Sequence, residues 1–167
     1  LRKRARPKIL LATNYEDALS MYEKYKNNLL GVISDVGFAM HKEEDSENEV
    51  LDAGLQLVRH IRQDDPMMPV LLQSSQGSIA ETAQELGVGF LEKYSKTLML
   101  QLSDYIKEEF GFGDFIFRDS DHIEYGRASN LKELETLVTT VPEDVLLRAT
   151  SKNMLSKWFY ARGLFTL

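Results

Sequence analysis

Short runs of continuous apolar residues alternate with stretches of helical spacing along most of the chain. Lys8–Thr13 (KILLAT), Leu29–Ser34 (LLGVIS), Pro69–Gln73 (PVLLQ) and Val88–Leu91 (VGFL) are the runs. A strand apolar on both faces is buried on both faces, as in a parallel sheet covered by helices. Between them, Ala18, Leu19, Tyr22 and Tyr25, then Leu51, Leu55, Val58 and Ile61, then Ile79 to Leu86, and then Leu98, Leu102, Tyr105 and Ile106 predict helices. Asn14, followed by Glu16 and Asp17, reads as a cap with acids in the first helical turn. Asp64-Asp65-Pro66 is a turn, and Gly87 and Gly111 close helices. Gly37 to Glu49 is polar, acidic and without period, hence a loop. This alternation predicts an α/β, doubly wound parallel sheet.

Beyond Phe110 the pattern changes. The glycines of FGFGDFIFRD, residues 110–119, fit neither GxGxxG nor GxxxxGK, so no phosphate loop is expected. Phe115–Arg118 reads as a strand, 119–122 as a turn and Ile123–Ala128 as a partner strand. Ser129 or Asn130 caps a helix bearing Leu131, Leu134, Leu137 and Val138. VPEDVLLRA opens a second helix at Pro142, and Ser151 is read as the cap of a last one, SKNMLSKWFYARGLF. The expected organisation is one domain over 1–113 and a small, mainly helical α+β appendage over 114–167.

Composition narrows the function. The 167 residues are 43% hydrophobic and 28% charged, the balance of a globular protein. No apolar stretch is long enough to span a bilayer, and LRKRARPKILLATN has too short an apolar core for a signal peptide. Membrane association is therefore not expected. The absence of cysteine excludes disulfide and thiol chemistry and fits a reducing cytoplasm. A net charge of −6 argues against broad nucleic-acid binding. Arg2, Lys3, Arg4, Arg6 and Lys8 crowd the start, and Glu43, Glu44, Asp45, Glu47, Glu49 and Asp52 crowd one segment. Both read as solvated surface.

Ligands of open α/β sheets bind at the carboxyl ends of the strands. Those ends carry Thr13-Asn14, Asp35, Ser74-Ser75 and Lys93. An acid, hydroxyls and a lysine on one rim suit reversible phosphorylation of an aspartate. The carboxylate is the nucleophile, lysine and hydroxyl contact the phosphoryl oxygens, and a divalent cation offsets their charge.

The same residues carry a resemblance. GVISDV, DAGLQLVRHIR, PVLLQSS and GVGFLEKYS occur in the order of matching segments in the receiver domain of two-component response regulators. The resemblance implies a flavodoxin-like receiver fold with Asp35 as phosphoacceptor, Ser74 (or neighbouring Ser75) and Lys93 as phosphoryl contacts, and Phe90 as the switch aromatic. It implies Mg²⁺ for an intact receiver and a sensor histidine kinase or another phosphodonor as partner. KILLATNYEDALSMYEKYKNN aligns with the second receiver strand and helix, so the chain is expected to begin inside the domain, with LRKRAR ending the first helix. The acid pair that supplies Mg²⁺ ligands in receivers then has no counterpart, leaving Asp35 as the one acid assigned to the metal. Tyr94 stands where receivers carry proline. Unpaired strand edges would let two copies form a homodimer.

The order receiver, then FGFGDFIFR, then the segment from ASNLKELETL to SKWFYARGLF, is similar to the regulatory region of certain bacterial phosphoenolpyruvate synthase-like proteins. This resemblance implies a regulatory unit, not itself an enzyme, working on adjacent domains of a larger phosphotransferase. Two other classes remain open: a degenerate docking domain in which Asp35 only caps a loop, and a transcriptional regulator whose Arg148, Lys152, Lys157 and Arg162 contact DNA. His41 near Glu43 and Glu44 reads as exposed loop rather than metal ligand, His60 as helix surface and His122 as turn.

Overall fold

The computed structural model describes residues 8–41, 50–151 and 153–164. The basic cluster at 2–6, the acidic segment 43–49 and Lys152 lie outside the described residues. Two compact units emerge, Lys8–Leu102 and the portion from Ser103 onward.

In the first unit, α1 (Tyr15–Tyr25) leads through a short 3-10 turn, Lys26–Asn28, to β1 (Val32–Asp35). Then follow α2 (Ala53–Asp64), β2 (Val70–Ser74), α3 (Ile79–Glu85), β3 (Gly89–Glu92) and the first residues of α4 (Leu98–Glu109). The three strands form a parallel sheet in the order β1-β2-β3. The register pairs Asp35 with Gln73 and Ser74 with Glu92. Val70, Leu71 and Leu72 of the central strand are completely buried. Since successive side chains point to opposite faces, both faces of β2 are covered. Tyr22 of α1, Leu55, Leu57, Val58 and Ile61 of α2, and Ala83 of α3 join Val70 and Leu72 in one core.

The expected strand at Lys8–Thr13 is not formed. Ile9 and Leu11 are 93% and 77% exposed, and among the described residues β1 pairs only with β2. An apolar run becomes a strand only where a neighbour accepts its ladder hydrogen bonds, and among the described residues none lies beside this one. Leu51, read as a helix position, precedes α2 and is exposed.

The other signals have visible mechanisms. Asn14 caps α1, its side chain accepting from the Asp17 amide at 2.8 Å. Gly87 and Gly111 take φ of 63° and 77°, where a Cβ is disfavoured. Arg62 donates to the carbonyls of Met68 (2.7 Å), Leu86 (3.0 Å) and Gly87 (2.9 Å), fastening α2 to the turns that enter β2 and β3.

The second unit begins within α4, and Gly111 and Gly113 just after that helix are held by the last one. It contains the hairpin β4 (Phe115–Arg118) and β5 (Glu124–Ala128), followed by α5 (Leu131–Val138), α6 (Glu143–Ser151) and α7 (Met154–Ala161). Phe115, Phe117, Leu134, Val145 and Trp158 form its core. Trp158 donates its indole N–H to the Gly113 carbonyl at 3.0 Å. Arg162 stacks 3.5 Å from the Trp158 ring and donates to the carbonyls of Gly111 (2.9 Å) and Gly113 (2.8 Å). Asn130 is the cap of α5, accepting from Lys132 and Glu133 amides. Ser151 does not cap α7: its hydroxyl donates to the Arg148 carbonyl at 3.0 Å and closes α6, and left-handed Asn153 (φ 52°) makes the break.

Candidate functional site

The parallel ladder brings three of the four expected residues to one rim, and the fourth stands a step behind it. Asp35 is the last residue of β1. Just beyond it the Val36 amide donates to the Gln73 carbonyl at 3.1 Å, so the strand stays paired through the acid. The buried Ser34 hydroxyl donates to the Asp35 carbonyl at 2.8 Å. On the far side of β2, the Lys93 amide donates to the Ser74 carbonyl at 2.9 Å, which extends the β2–β3 ladder to the lysine.

Alternation then decides which way the side chains project. Asp35, Gln73 and Leu91 share a face by register, and Lys93, two residues beyond Leu91, returns to it. Two strand spacings, about 10 Å, separate β1 from β3. The lysine spans that gap: Lys93 Nζ lies 3.0 Å from Asp35 Oδ2. The two side chains are 47% (Asp35) and 39% (Lys93) exposed, so the pair is open to solutes.

Ser74 is buried at the end of β2, and its hydroxyl oxygen accepts from the Gln76 amide at 3.1 Å. That bond uses a lone pair and leaves the O–H free to donate. Ser75 is exposed beside it. Phe90 is the register partner of Leu72, on the Ser74 face of the sheet, and packs half-buried against the first unit's core.

Three elements hold the backbone after Asp35. β2 takes the Val36 amide. At the start of α2, the Gly54 amide donates to the Val36 carbonyl at 2.8 Å. At the start of α1, the Tyr15 and Glu16 amides donate to the carbonyls of Ala39 (2.9 Å) and Met40 (3.2 Å). Phe38 and Val50 exchange two backbone hydrogen bonds, closing the neck of the acidic excursion between them. Neither Gly54 nor the Phe38–Val50 clasp was among the expected site residues. The available signal was a lone glycine inside the helical pattern of DAGLQLV.

Two histidines face glutamates. His41 Nδ1 lies 2.8 Å from Glu16 and His60 Nε2 lies 2.8 Å from Glu23. His122 occupies a left-handed turn position, φ 62°. Of the basic residues considered for DNA contact, Arg162 has its guanidinium spent on Gly111, Gly113 and Trp158. Burial pulls its pKa down.

Among the described residues no group of three acidic or histidine side chains gathers to hold a metal ion, and no helix is long and apolar enough to cross a membrane. Asp35 supplies the carboxylate that faces this rim's lysine. Mg²⁺ is usually bound by one or two carboxylates together with waters and substrate phosphates, and Asp35 would be the carboxylate that this rim offers. No protein-family model, curated protein or solved structure matches the chain.

Proposed function

We propose that the unit Lys8–Leu102 is a receiver-like regulatory domain in which Asp35 accepts a phosphoryl group. The observation that carries this reading is the 3.0 Å pairing of Asp35 with Lys93 across the rim, with the Ser74 hydroxyl at the intervening strand end.

An Asp35 carboxylate oxygen attacks the phosphorus of an acyl phosphate or phosphohistidine donor. The bond from phosphorus to the leaving carboxylate or imidazole breaks, and an acyl phosphate forms on Asp35. The Lys93 ammonium, already at the carboxylate, turns to a phosphoryl oxygen, and the Ser74 O–H donates to another. Phe90, on the Ser74 face, is the aromatic that responds when Ser74 changes partner. Asp35, together with the donor's phosphate, would hold Mg²⁺, which would offset the charge on the phosphoryl oxygens. The flavodoxin-like receiver fold, a sensor-kinase or small phosphodonor partner, a cytoplasmic setting and a role beside the catalytic domains of a phosphoenolpyruvate synthase-like parent belong to the same reading.

A second reading, a degenerate docking domain in which Asp35 only caps a loop, draws on the backbone bonds that tie the segment after Asp35 to α1 and α2. Intact-mass measurement after incubation with acetyl phosphate and Mg²⁺ separates the two. One phosphoryl group on the wild type, none on Asp35→Asn, and transfer slowed about a hundredfold in Lys93→Met support the phosphoacceptor. A folded wild type that gains no phosphoryl group contradicts it and leaves the docking role.

A further inference from the structure

Gly54 lies in the first turn of α2, where an ordinary helix former would cost less conformational entropy than glycine. Its φ is not in the left-handed region, so backbone conformation does not require glycine. Space does. A Cβ built at Gly54 would overlap the Asp35 carbonyl oxygen and stand 2.9 Å from Val36 Cα and 3.0 Å from the Asp35 carbonyl carbon. All three are backbone atoms, which cannot rotate away as a side-chain tip does. The Gly54 amide meanwhile donates to the Val36 carbonyl at 2.8 Å. The first turn of α2 therefore rests directly on the peptide that carries Asp35.

The far side of that peptide is fixed too. The Val36 amide is bonded to Gln73, and the Ser34 hydroxyl to the Asp35 carbonyl. Added bulk at position 54 must displace either α2 or the Asp35 backbone, and both shifts disturb the contacts that seat the acid opposite Lys93.

We propose that Gly54 is a positioning residue for Asp35: its missing side chain lets α2 seat the acid within reach of Lys93. The proposal rests on the phosphoacceptor reading for its function, but its geometric content is testable without phosphorylation.

The experiment combines two readouts on the full chain. The first is the rate at which Lys93 is acetylated by an amine-reactive ester, followed by peptide mass spectrometry, because pairing with Asp35 shields the amine. The second is the rate of phosphoryl transfer from acetyl phosphate with Mg²⁺. Gly54→Ala is expected to raise Lys93 labelling to the level of Asp35→Asn, leave the other lysines unchanged, and slow transfer about a hundredfold, the usual consequence of misplacing a reacting group by about 1 Å. Gly77→Ala, where a Cβ would meet nothing within 4 Å, is expected to change neither.

If Gly54→Ala does not fold, the buried neighbour Leu55→Val loosens the same turn, and Ile61→Val is the matched trim further along α2. Raised Lys93 labelling in Leu55→Val alone supports the proposal. Unchanged Lys93 labelling in a folded Gly54→Ala, or equal labelling in the two valine variants, overturns it. A wild type that takes no phosphoryl group while Lys93 labelling still responds to Gly54 leaves the positioning role standing and removes the phosphoacceptor reading alone.

Discussion

An ion pair with both partners more than a third exposed contributes little to stability, because water screens the attraction and two side chains lose freedom. Asp35 and Lys93 are such a pair, so stability does not explain why strand ends bring them to 3.0 Å. This sets up a test at the residue scale. Lys93→Met is expected to change unfolding free energy by less than about 1 kcal/mol while removing most phosphoryl transfer. Equal losses of stability and transfer would mark the lysine as structural. Gly111 is the opposite case. A Cβ there would stand 2.9 Å from backbone atoms of Lys157 and Trp158, and φ is 77°. Gly111→Ala should cost about 1–3 kcal/mol from the left-handed backbone alone, with the clash added, read as a drop in the denaturation midpoint followed by Trp158 fluorescence. An unchanged midpoint would show that the close seat of α7 is dispensable.

Elements here are joined by a few polar fasteners at their ends. Arg62 satisfies three carbonyls at the entrances to β2 and β3. Arg62→Met strands those carbonyls and should lower stability by about 2 kcal/mol in urea unfolding, whereas a loss within a few tenths would assign the work to the apolar face of α2. Between α1 and α2, Asp64 accepts from Tyr22 at 2.9 Å and pairs with Lys26, while Glu23 is held by His60 and Lys26. The Lys26 ammonium, with the Tyr22 hydroxyl, keeps the Asp64 carboxyl below its usual range. The hydrogen bond from His60, then that from Lys26, does so for Glu23. Burial, with the Asp64 hydrogen bond and charge, pushes the Tyr22 phenol well up. Both carboxyls bind protons less readily folded than unfolded. Their stabilisation is complete above the ordinary carboxylate range and is lost as pH falls through it. Asp64→Asn should therefore lose less stability than wild type between about pH 5 and pH 3, where carboxylates titrate. Parallel curves would show that the cluster is not coupled to folding.

At the scale of the molecule, the parts written by local pattern were readable in advance, and those written by distant partners were not. Three of the four apolar runs anticipated β1 to β3, and helical spacing with its glycine and asparagine punctuation anticipated α1 to α4, within a few residues. Lys8–Thr13 has the same apolar signature as the true strands, but a strand needs a paired edge, which no local pattern encodes. Ser151 carries the right chemistry for a cap, and only the competing bond to Arg148 shows that it ends a helix. The FGFG and SKWFYAR segments lie far apart in sequence, and their partnership became intelligible once Trp158 and Arg162 were seen on the carbonyls of Gly111 and Gly113. Asp35, Ser74 and Lys93 were legible as neighbours because strand ends gather at one rim, whereas the lone glycine in DAGLQLV signalled a special position without saying which backbone it approaches.

The most direct measurement is to locate the phosphoryl group. After exposure of the full chain to acetyl phosphate and Mg²⁺, borohydride reduction converts an aspartyl phosphate to homoserine, which peptide sequencing by mass spectrometry identifies at its position. The account predicts homoserine at residue 35, absent in Asp35→Asn and absent without the phosphodonor. Phosphate retained on Ser74 or Ser75, or homoserine at any other acid with residue 35 unmodified, would contradict it.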